Sequence, residues 1–108
     1  MAGLRRGDIH AARFGRPDEC HPTGTRPALI LQADGMTGWS TVIVAPLSSS
    51  ARPTRFRPLV TVGGTGTRVL VENVRALDAG RIGRRLGSLS ADELMDVNLA
   101  IKKVLGLS

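Results

Sequence analysis

Cysteine, lysine and long apolar runs are all scarce in this chain. Its 108 residues include one cysteine, Cys20, so no disulfide can form within the chain, which agrees with a reducing compartment. No stretch approaches the roughly 20 consecutive apolar residues that a membrane-spanning helix needs. The first residues pass directly into polar sequence, with no apolar signal core. We therefore expect a soluble, cytoplasmic protein with no membrane partner.

The positive charge comes almost entirely from arginine. Fifteen basic residues against nine acidic ones give a formal net charge of +6, and thirteen of the fifteen are arginine. Eight of these arginines fall between residues 52 and 85, where only Glu72 and Asp78 oppose them. Because a planar guanidinium can bind a phosphate through two parallel hydrogen bonds, this composition suits a polyanionic partner. It also describes an ordinary solvated surface, so a partner has to be argued from a site.

Length and composition suit a single domain over residues 1–108, since 42% hydrophobic content can supply one core. Its centre is predicted to be a β-hairpin of two apolar runs, residues 26–34 and 40–48. If these strands are antiparallel neighbours, Arg26 and Ser48 lie at the same end of the sheet. A cation and a hydroxyl would then contact the same anion.

Other short strands and a terminal helix complete the pattern. Strands are predicted at residues 7–14, 59–62, 67–75 and 84–89. The first of these is weak and is expected at a sheet edge, and the glycines of residues 63–66 indicate a turn. Ser90 and Glu93 form a capping box ahead of apolar residues at helical spacing, and Gly106 ends the helix. The chain is therefore mostly β with a C-terminal α-helix, which indicates a small barrel.

Taken in order, these segments resemble the MazF/PemK family of toxin endoribonucleases. The resemblance rests on five blocks of sequence, at residues 6–9 (Arg-Gly-Asp-Ile), 26–34, 41–49, 71–78 and 84–89. Each block is weak alone, but five in the family's order make a specific signal. The resemblance implies the small SH3-like barrel of CcdB, MazF and PemK, usually as a homodimer.

The resemblance also implies which residues form the site. Arg26 matches the family's catalytic arginine, and the proline after it favours an extended backbone at this position. Ser48, with Ser49 as the fallback, matches the threonine or serine that contacts the scissile phosphate. Glu19 is the candidate general base, because it matches a family glutamate once a gap is allowed in the loop of residues 15–25.

The loop after Ser48 is predicted to bind single-stranded RNA. Its candidate contacts, beside Ser49, are Arg52, Arg55, Phe56 and Arg57. Cations interleaved with an aromatic ring suit stacked bases and phosphates, although a basic loop can also be merely solvated. Trp39 has two interpretations, a core residue or a surface for base stacking, and the core is favoured.

The two histidines raise the possibility of base catalysis or metal binding. His10 falls in the first predicted strand, where a histidine is more often structural than a base. Cys20 and His21 are adjacent, but no third ligand lies nearby, so they fall short of a zinc pattern. We therefore predict no metal and no cofactor.

The predicted activity follows from RNA chemistry together with the resemblance. RNA carries its own nucleophile, the 2′-hydroxyl, so an enzyme needs to align it, neutralise the phosphate and move two protons. We predict a sequence-specific, metal-independent endoribonuclease that cuts single-stranded mRNA and leaves 2′,3′-cyclic phosphate and 5′-hydroxyl ends. The resemblance further implies a cognate antitoxin with an acidic, disordered tail. Two alternatives stay open: a non-catalytic toxin of this fold that inhibits DNA gyrase, and an RNA-binding barrel without cleavage.

Overall fold

The computed structural model describes residues 3–15, 24–36 and 40–107. Within these ranges the elements are β1 (Asp8–Arg13), β2 (Thr25–Ile30), β3 (Thr41–Ser48), β4 (Leu59–Val62), β5 (Thr65–Val69), β6 (Arg75–Asp78), β7 (Ile82–Ser88) and α1 (Ala91–Leu105). Short 3₁₀ turns occur at Asp34–Met36, Val71–Asn73 and Ala79–Arg81. The prediction of a mostly β chain with a C-terminal helix is confirmed.

The described strands form one antiparallel sheet that curls around β3. The strand order is β4, β5, β3, β2, β1, β7, and β6 pairs with β3 beside this path. β3 pairs with β2 along one edge, and along its other edge it pairs first with β6 and then with β5. Because the partner changes along this edge, the sheet bends at β3 into a half-barrel. β4 and β7, at the two ends of the strand order, contact each other.

β2 and β3 are buried on both faces at residues 28–30 and 44–47, which explains why these stretches are continuously apolar rather than alternating. One face contributes Leu29 and Leu47 to a cluster that Val97 of α1 covers. The opposite face contributes Ile30 and Val44 to a second cluster within the curl of the sheet. The predicted hairpin is therefore confirmed as the centre of the fold, although β2 ends at Ile30 and a 3₁₀ turn follows it.

Two expectations about the strands are wrong. β1 is not an edge strand, because it lies between β2 and β7, and both Ile9 and Ala12 are buried on its two faces. The single strand expected over residues 67–75 is divided into β5 and β6 by the 3₁₀ turn Val71–Asn73. The apolar pattern runs through this break because Val71, inside the turn, is itself buried.

The β4–β5 connection is shorter than the four-residue turn that the sequence suggests. Gly63 and Gly64 form it alone, with φ angles of 56° and 84°. A two-residue hairpin loop with both φ values positive matches the right-handed twist of the strands, and glycine adopts it without strain. β5 consequently begins at Thr65 and reaches the end of β3.

α1 is bounded as the sequence predicts. The Ser90 hydroxyl accepts a hydrogen bond from the Glu93 backbone N–H at 3.1 Å, and the Glu93 carboxylate accepts one from the Ser90 N–H at 2.9 Å. Gly106 ends the helix in the left-handed conformation, with a φ of 68°. Val97 and Ala100 are buried against the sheet, but the last turn of the helix is exposed. Among the described residues, no helix is both long and apolar enough to cross a bilayer.

Candidate active site

The register of β2 and β3 brings Arg26 close to Ser48. Ala28 of β2 pairs with Pro46 of β3, and the same register continued by two residues places Arg26 opposite Ser48. Both residues line a cavity of about 370 Å³ at this end of the hairpin, which we call the open end. The cation and the hydroxyl that the sequence places at one end of the sheet therefore face one space.

Five of the nine residues that line this cavity carry a hydroxyl group. Besides Arg26 and Pro27, the lining residues are Leu47, Ser48, Ser49, Ser50, Val62, Thr65 and Thr67. The last three belong to the β4–β5 hairpin, which forms the opposite wall. Hydroxyls can donate to phosphate oxygens, and the lining includes one cation and no carboxylate. The cavity is therefore suited to an anion.

The polar groups at the open end are weakly engaged. The Arg26 guanidinium makes no hydrogen bond or ion pair with any residue in the described ranges, and Arg26 is exposed. The Ser48 hydroxyl accepts from the Ser50 backbone N–H at 3.3 Å and lies 3.3 Å from the Ser50 hydroxyl. These are long for hydrogen bonds, so a ligand oxygen can replace them at little cost. Arg26 and Ser48 are available to bind a phosphate.

Arg26 also borders a second cavity, of about 550 Å³, on its other side. Its other lining residues are Phe14, Pro46, Leu70, Glu72, Asn73, Val74 and Arg75. The Arg75 guanidinium carbon lies 5.6 Å from the centroid of the Phe14 ring, within the range of a cation–π contact. The Glu72 carboxylate forms an ion pair with Arg57 at 2.7 Å. Polar groups therefore supply more of the exposed lining of this cavity than apolar groups do.

The basic loop after β3 places none of its three arginines in the lining of the Arg26–Ser48 cavity. Arg57 donates both to the Glu72 carboxylate and to the Arg52 carbonyl oxygen, the latter at 3.1 Å. Arg55 instead lines a cavity beside α1, and Phe56 is exposed. Of the residues predicted to bind RNA, only Ser49 joins Ser48 in the lining of that cavity.

Other candidates from the sequence lie elsewhere. His10 is buried in β1, with Nδ1 2.9 Å from the Gly83 carbonyl oxygen and Nε2 without a partner among the described residues. It lines neither cavity at Arg26. The candidates outside the described residues are Glu19, Cys20, His21 and Trp39. Within the described ranges, no group of three or more His, Cys, Asp or Glu side chains is placed to hold a metal ion.

Comparison with known families gives this geometry its context. The family described as "PemK-like, MazF-like toxin of type II toxin-antitoxin system" matches residues 5–105. This chain belongs to that family. The toxin is 34% identical over 103 residues to Rv3098A, a protein of Mycobacterium tuberculosis, covering 94% of this chain and 97% of the relative. It is 31% identical over 111 residues to the endoribonuclease MazF of Staphylococcus saprophyticus, covering 96% and 92%.

A solved structure of similar shape agrees with the family assignment. The crystal structure of MazE–MazF from Deinococcus radiodurans matches the toxin with a TM-score of 0.78 and 26% identity, covering 97% of both chains. The expected MazF/PemK fold is therefore confirmed.

Sequence reasoning about the toxin missed the residues of the second cavity. Glu72 and Asn73 fall inside one of the five blocks of resemblance, but an uninterrupted strand gives them no role. The available signal was two adjacent polar residues breaking an apolar run, which is typical of a turn rather than of a buried strand. That turn directs the polar pair toward the cavity at Arg26.

Proposed function

We propose that this toxin is a sequence-specific, metal-independent endoribonuclease that cuts single-stranded mRNA at the Arg26–Ser48 cavity. The observation that carries the proposal is the convergence on one cavity of a serine hydroxyl and a guanidinium that has no polar partner in residues 3–15, 24–36 and 40–107. Family membership and the endoribonuclease MazF among its relatives support the same activity. We take residues 1–108 as a single toxin domain, since the family match covers nearly all of them.

The chemistry uses the nucleophile that RNA already carries. The 2′-oxygen attacks the adjacent phosphorus as its proton passes to a base, for which Glu19 is the candidate. The bond from phosphorus to the 5′-oxygen breaks, and the leaving oxygen takes up a proton. Arg26 stabilises the charge on the pentacovalent phosphate and helps to protonate the leaving oxygen, while Ser48 donates to a phosphate oxygen. The products are a 2′,3′-cyclic phosphate and a 5′-hydroxyl.

The test is cleavage of a long, mostly unstructured RNA in excess EDTA, with both ends of each cut identified chemically. Arg26→Ala and Ser48→Ala should each lose on the order of 10²-fold or more in rate, because each removes a preorganised donor. The matched controls are Arg84→Ala and Ser88→Ala, exposed positions on β7 that line neither cavity at Arg26. The controls should cut like the original chain.

Other outcomes point to the alternatives. Near-normal cleavage by both Arg26→Ala and Ser48→Ala would refute the assigned site. RNA binding without any cleavage would identify an RNA-binding barrel, and inhibition of DNA gyrase would then be measured next. Cuts that end in a 3′-hydroxyl would contradict attack by the 2′-oxygen.

We further propose that the toxin acts in the cytoplasm as a homodimer and is neutralised by an antitoxin with an acidic, disordered tail. The net charge of +6 and the MazE–MazF assembly of the Deinococcus protein support the partner. Exposed Met95 and Leu99 on α1 supply apolar surface for self-association. Light scattering should give twice the chain mass, and antitoxin affinity should fall steeply as salt is raised. A monomer, or salt-independent binding, would contradict the respective proposal.

A further inference from the structure

We propose that the second cavity at Arg26 binds the nucleobase next to the scissile phosphate and that Asn73 reads the edge of that base. The proposal deepens the proposed function and rests on it, because it places the scissile phosphate at Arg26. It assigns a specificity role to residues outside the cavity where the chemistry takes place.

The first argument is position. Arg26 lines both cavities, so the hydroxyl-lined space and the second one are adjacent to the same side chain. Each phosphate of RNA is joined through a ribose to a base on either side. A phosphate held by Arg26 and Ser48 therefore brings a neighbouring base to the mouth of the second cavity. Its volume of about 550 Å³ is typical of small-molecule sites.

The second argument is the presence of an aromatic ring and a neighbouring guanidinium in the lining. Phe14, Pro46, Leu70 and Val74 contribute apolar surface, and the guanidinium of Arg75 lies near the Phe14 ring. Unpaired RNA bases are commonly bound by stacking on aromatic rings or on arginine guanidinium planes. This cavity offers both kinds of surface, whereas the cavity lined by Ser48, Ser49 and Ser50 offers no aromatic side chain.

The third argument is the state of the polar groups. Glu72 is already engaged, because its carboxylate accepts hydrogen bonds from Arg57 at 2.7 and 3.3 Å. Asn73 is exposed at the end of the 3₁₀ turn, and its side-chain amide makes no hydrogen bond within the described ranges. A free side-chain amide offers both a donor and an acceptor, which together can read the edge of one base. Arg26 and Arg75 also line the cavity but can only donate, so Asn73 is the free side chain of this lining that offers both a donor and an acceptor.

The test measures base preference by binding, so that it does not depend on cleavage. The probes are short single-stranded 2′-fluoro RNAs, which lack the 2′-hydroxyl nucleophile, with each position varied through the four bases. The full-length chain should prefer one base at one position by roughly tenfold or more, as expected for a bidentate contact. Asn73→Ala and Asn73→Asp should lose or change the preference at that position alone.

Asn98→Asp on α1 is the matched control. Asn98 accepts a hydrogen bond from the Arg6 guanidinium at 2.7 Å through an oxygen that aspartate retains, so the substitution changes charge without removing the contact. The control should bind with the same base preferences as the original chain. Phe14→Ala provides a second variant of the cavity and should weaken binding of the preferred probe.

The outcomes separate this inference from the proposed function. Base preference that depends on Asn73, in a protein that cuts no RNA, would support the cavity assignment and refute the endoribonuclease. Normal cleavage with preferences unchanged in Asn73→Ala would support the enzyme and overturn the role of Asn73. Binding without preference at any position would overturn the inference as well.

Discussion

At the turn end of the β2–β3 hairpin, Arg6 donates from Nε to the Leu31 carbonyl oxygen at 2.9 Å and from Nη2 to the Asn98 amide oxygen at 2.7 Å. At the open end, the Arg26 guanidinium makes no such contact with any described residue. The same side chain therefore has different surroundings at the two ends of one hairpin. Arg6 ties the start of the chain to the hairpin and to α1, whereas Arg26 faces two cavities.

Other polar residues differ between the two ends of the hairpin in the same way as Arg6 and Arg26. At the turn end, the Gln32 side chain accepts from the Ile43 backbone N–H at 3.1 Å and donates to the Met36 carbonyl oxygen. At the open end, the Ser48 hydroxyl makes only long contacts to Ser50 among the residues that the structure describes. Polar groups satisfied inside the fold contribute to stability, whereas groups left free can exchange water for a ligand at little cost. The contacts at the turn end thus hold the hairpin together, whereas the polar side chains at the open end remain available to a ligand.

Replacing each of the two arginines by alanine tests the difference between the two ends of the hairpin most strongly. Arg6→Ala should lower the free energy of unfolding by about 2–3 kcal/mol, because it removes two hydrogen bonds from a charged group and leaves the Leu31 carbonyl without its donor. Arg26→Ala should change that free energy by less than about 0.5 kcal/mol, as is usual for exposed positions. Urea unfolding of both variants measures the difference. Equal destabilisation by the two substitutions would contradict the division.

Much of the fold could be predicted from sequence because its strongest signals are local. The hairpin of β2 and β3 follows from two apolar runs around a turn, and α1 follows from the capping box of Ser90 and Glu93 and from Gly106. The pairing of β1 could not be predicted, since its neighbours β2 and β7 are set by contacts far away in the chain. The break at Val71–Asn73 was hidden because a buried valine continues the strand pattern.

Part of the candidate site could likewise be predicted from the sequence, and part of it could not. Arg26 and Ser48 could be brought together from sequence, because antiparallel pairing of adjacent strands fixes which ends meet. The second cavity could not, because Phe14, Glu72 and Arg75 come from separate elements and meet only when the sheet curls. The positions of the loop arginines could not be predicted either, because the ion pair of Arg57 with Glu72 depends on where the 3₁₀ turn lies.

A more conservative substitution of Arg26 tests whether the open end needs a guanidinium or only a positive charge. Arg26→Lys keeps the positive charge but replaces a planar guanidinium by an ammonium, which cannot donate two parallel hydrogen bonds to a phosphate. Cleavage should fall by about tenfold, less than in Arg26→Ala, with stability unchanged. Rates at saturating RNA, compared across the three chains, give the measurement. Full activity in Arg26→Lys would mean that charge alone is needed at this position.

The smallest predicted effect is on stability: it depends on pH and comes from a contact between α1 and the β4–β5 hairpin. The Glu93 carboxylate accepts from the Ser90 backbone N–H and also, at 2.9 Å, from the backbone N–H of Thr61 in β4, next to Val62 of the cavity wall. The Ser90 hydrogen bond above all, together with that from Thr61, lowers the pKa of Glu93 below its ordinary value despite the opposing effect of burial. Glu93 thus links the helix cap to the hairpin that faces Arg26.

A lowered pKa in the folded state fixes the sign of the pH dependence. The unfolded chain binds the Glu93 proton at a higher pH than the folded chain does, so this contribution is present above the unfolded pKa and is lost as pH falls through the folded pKa. Glu93→Gln should therefore cost below about 1 kcal/mol at pH 7, because the side chain is partly exposed. The difference from the original chain should shrink between about pH 5 and pH 3. Urea unfolding of both chains across that range checks it, and a difference independent of pH would show that the Glu93 charge does not hold β4 against α1.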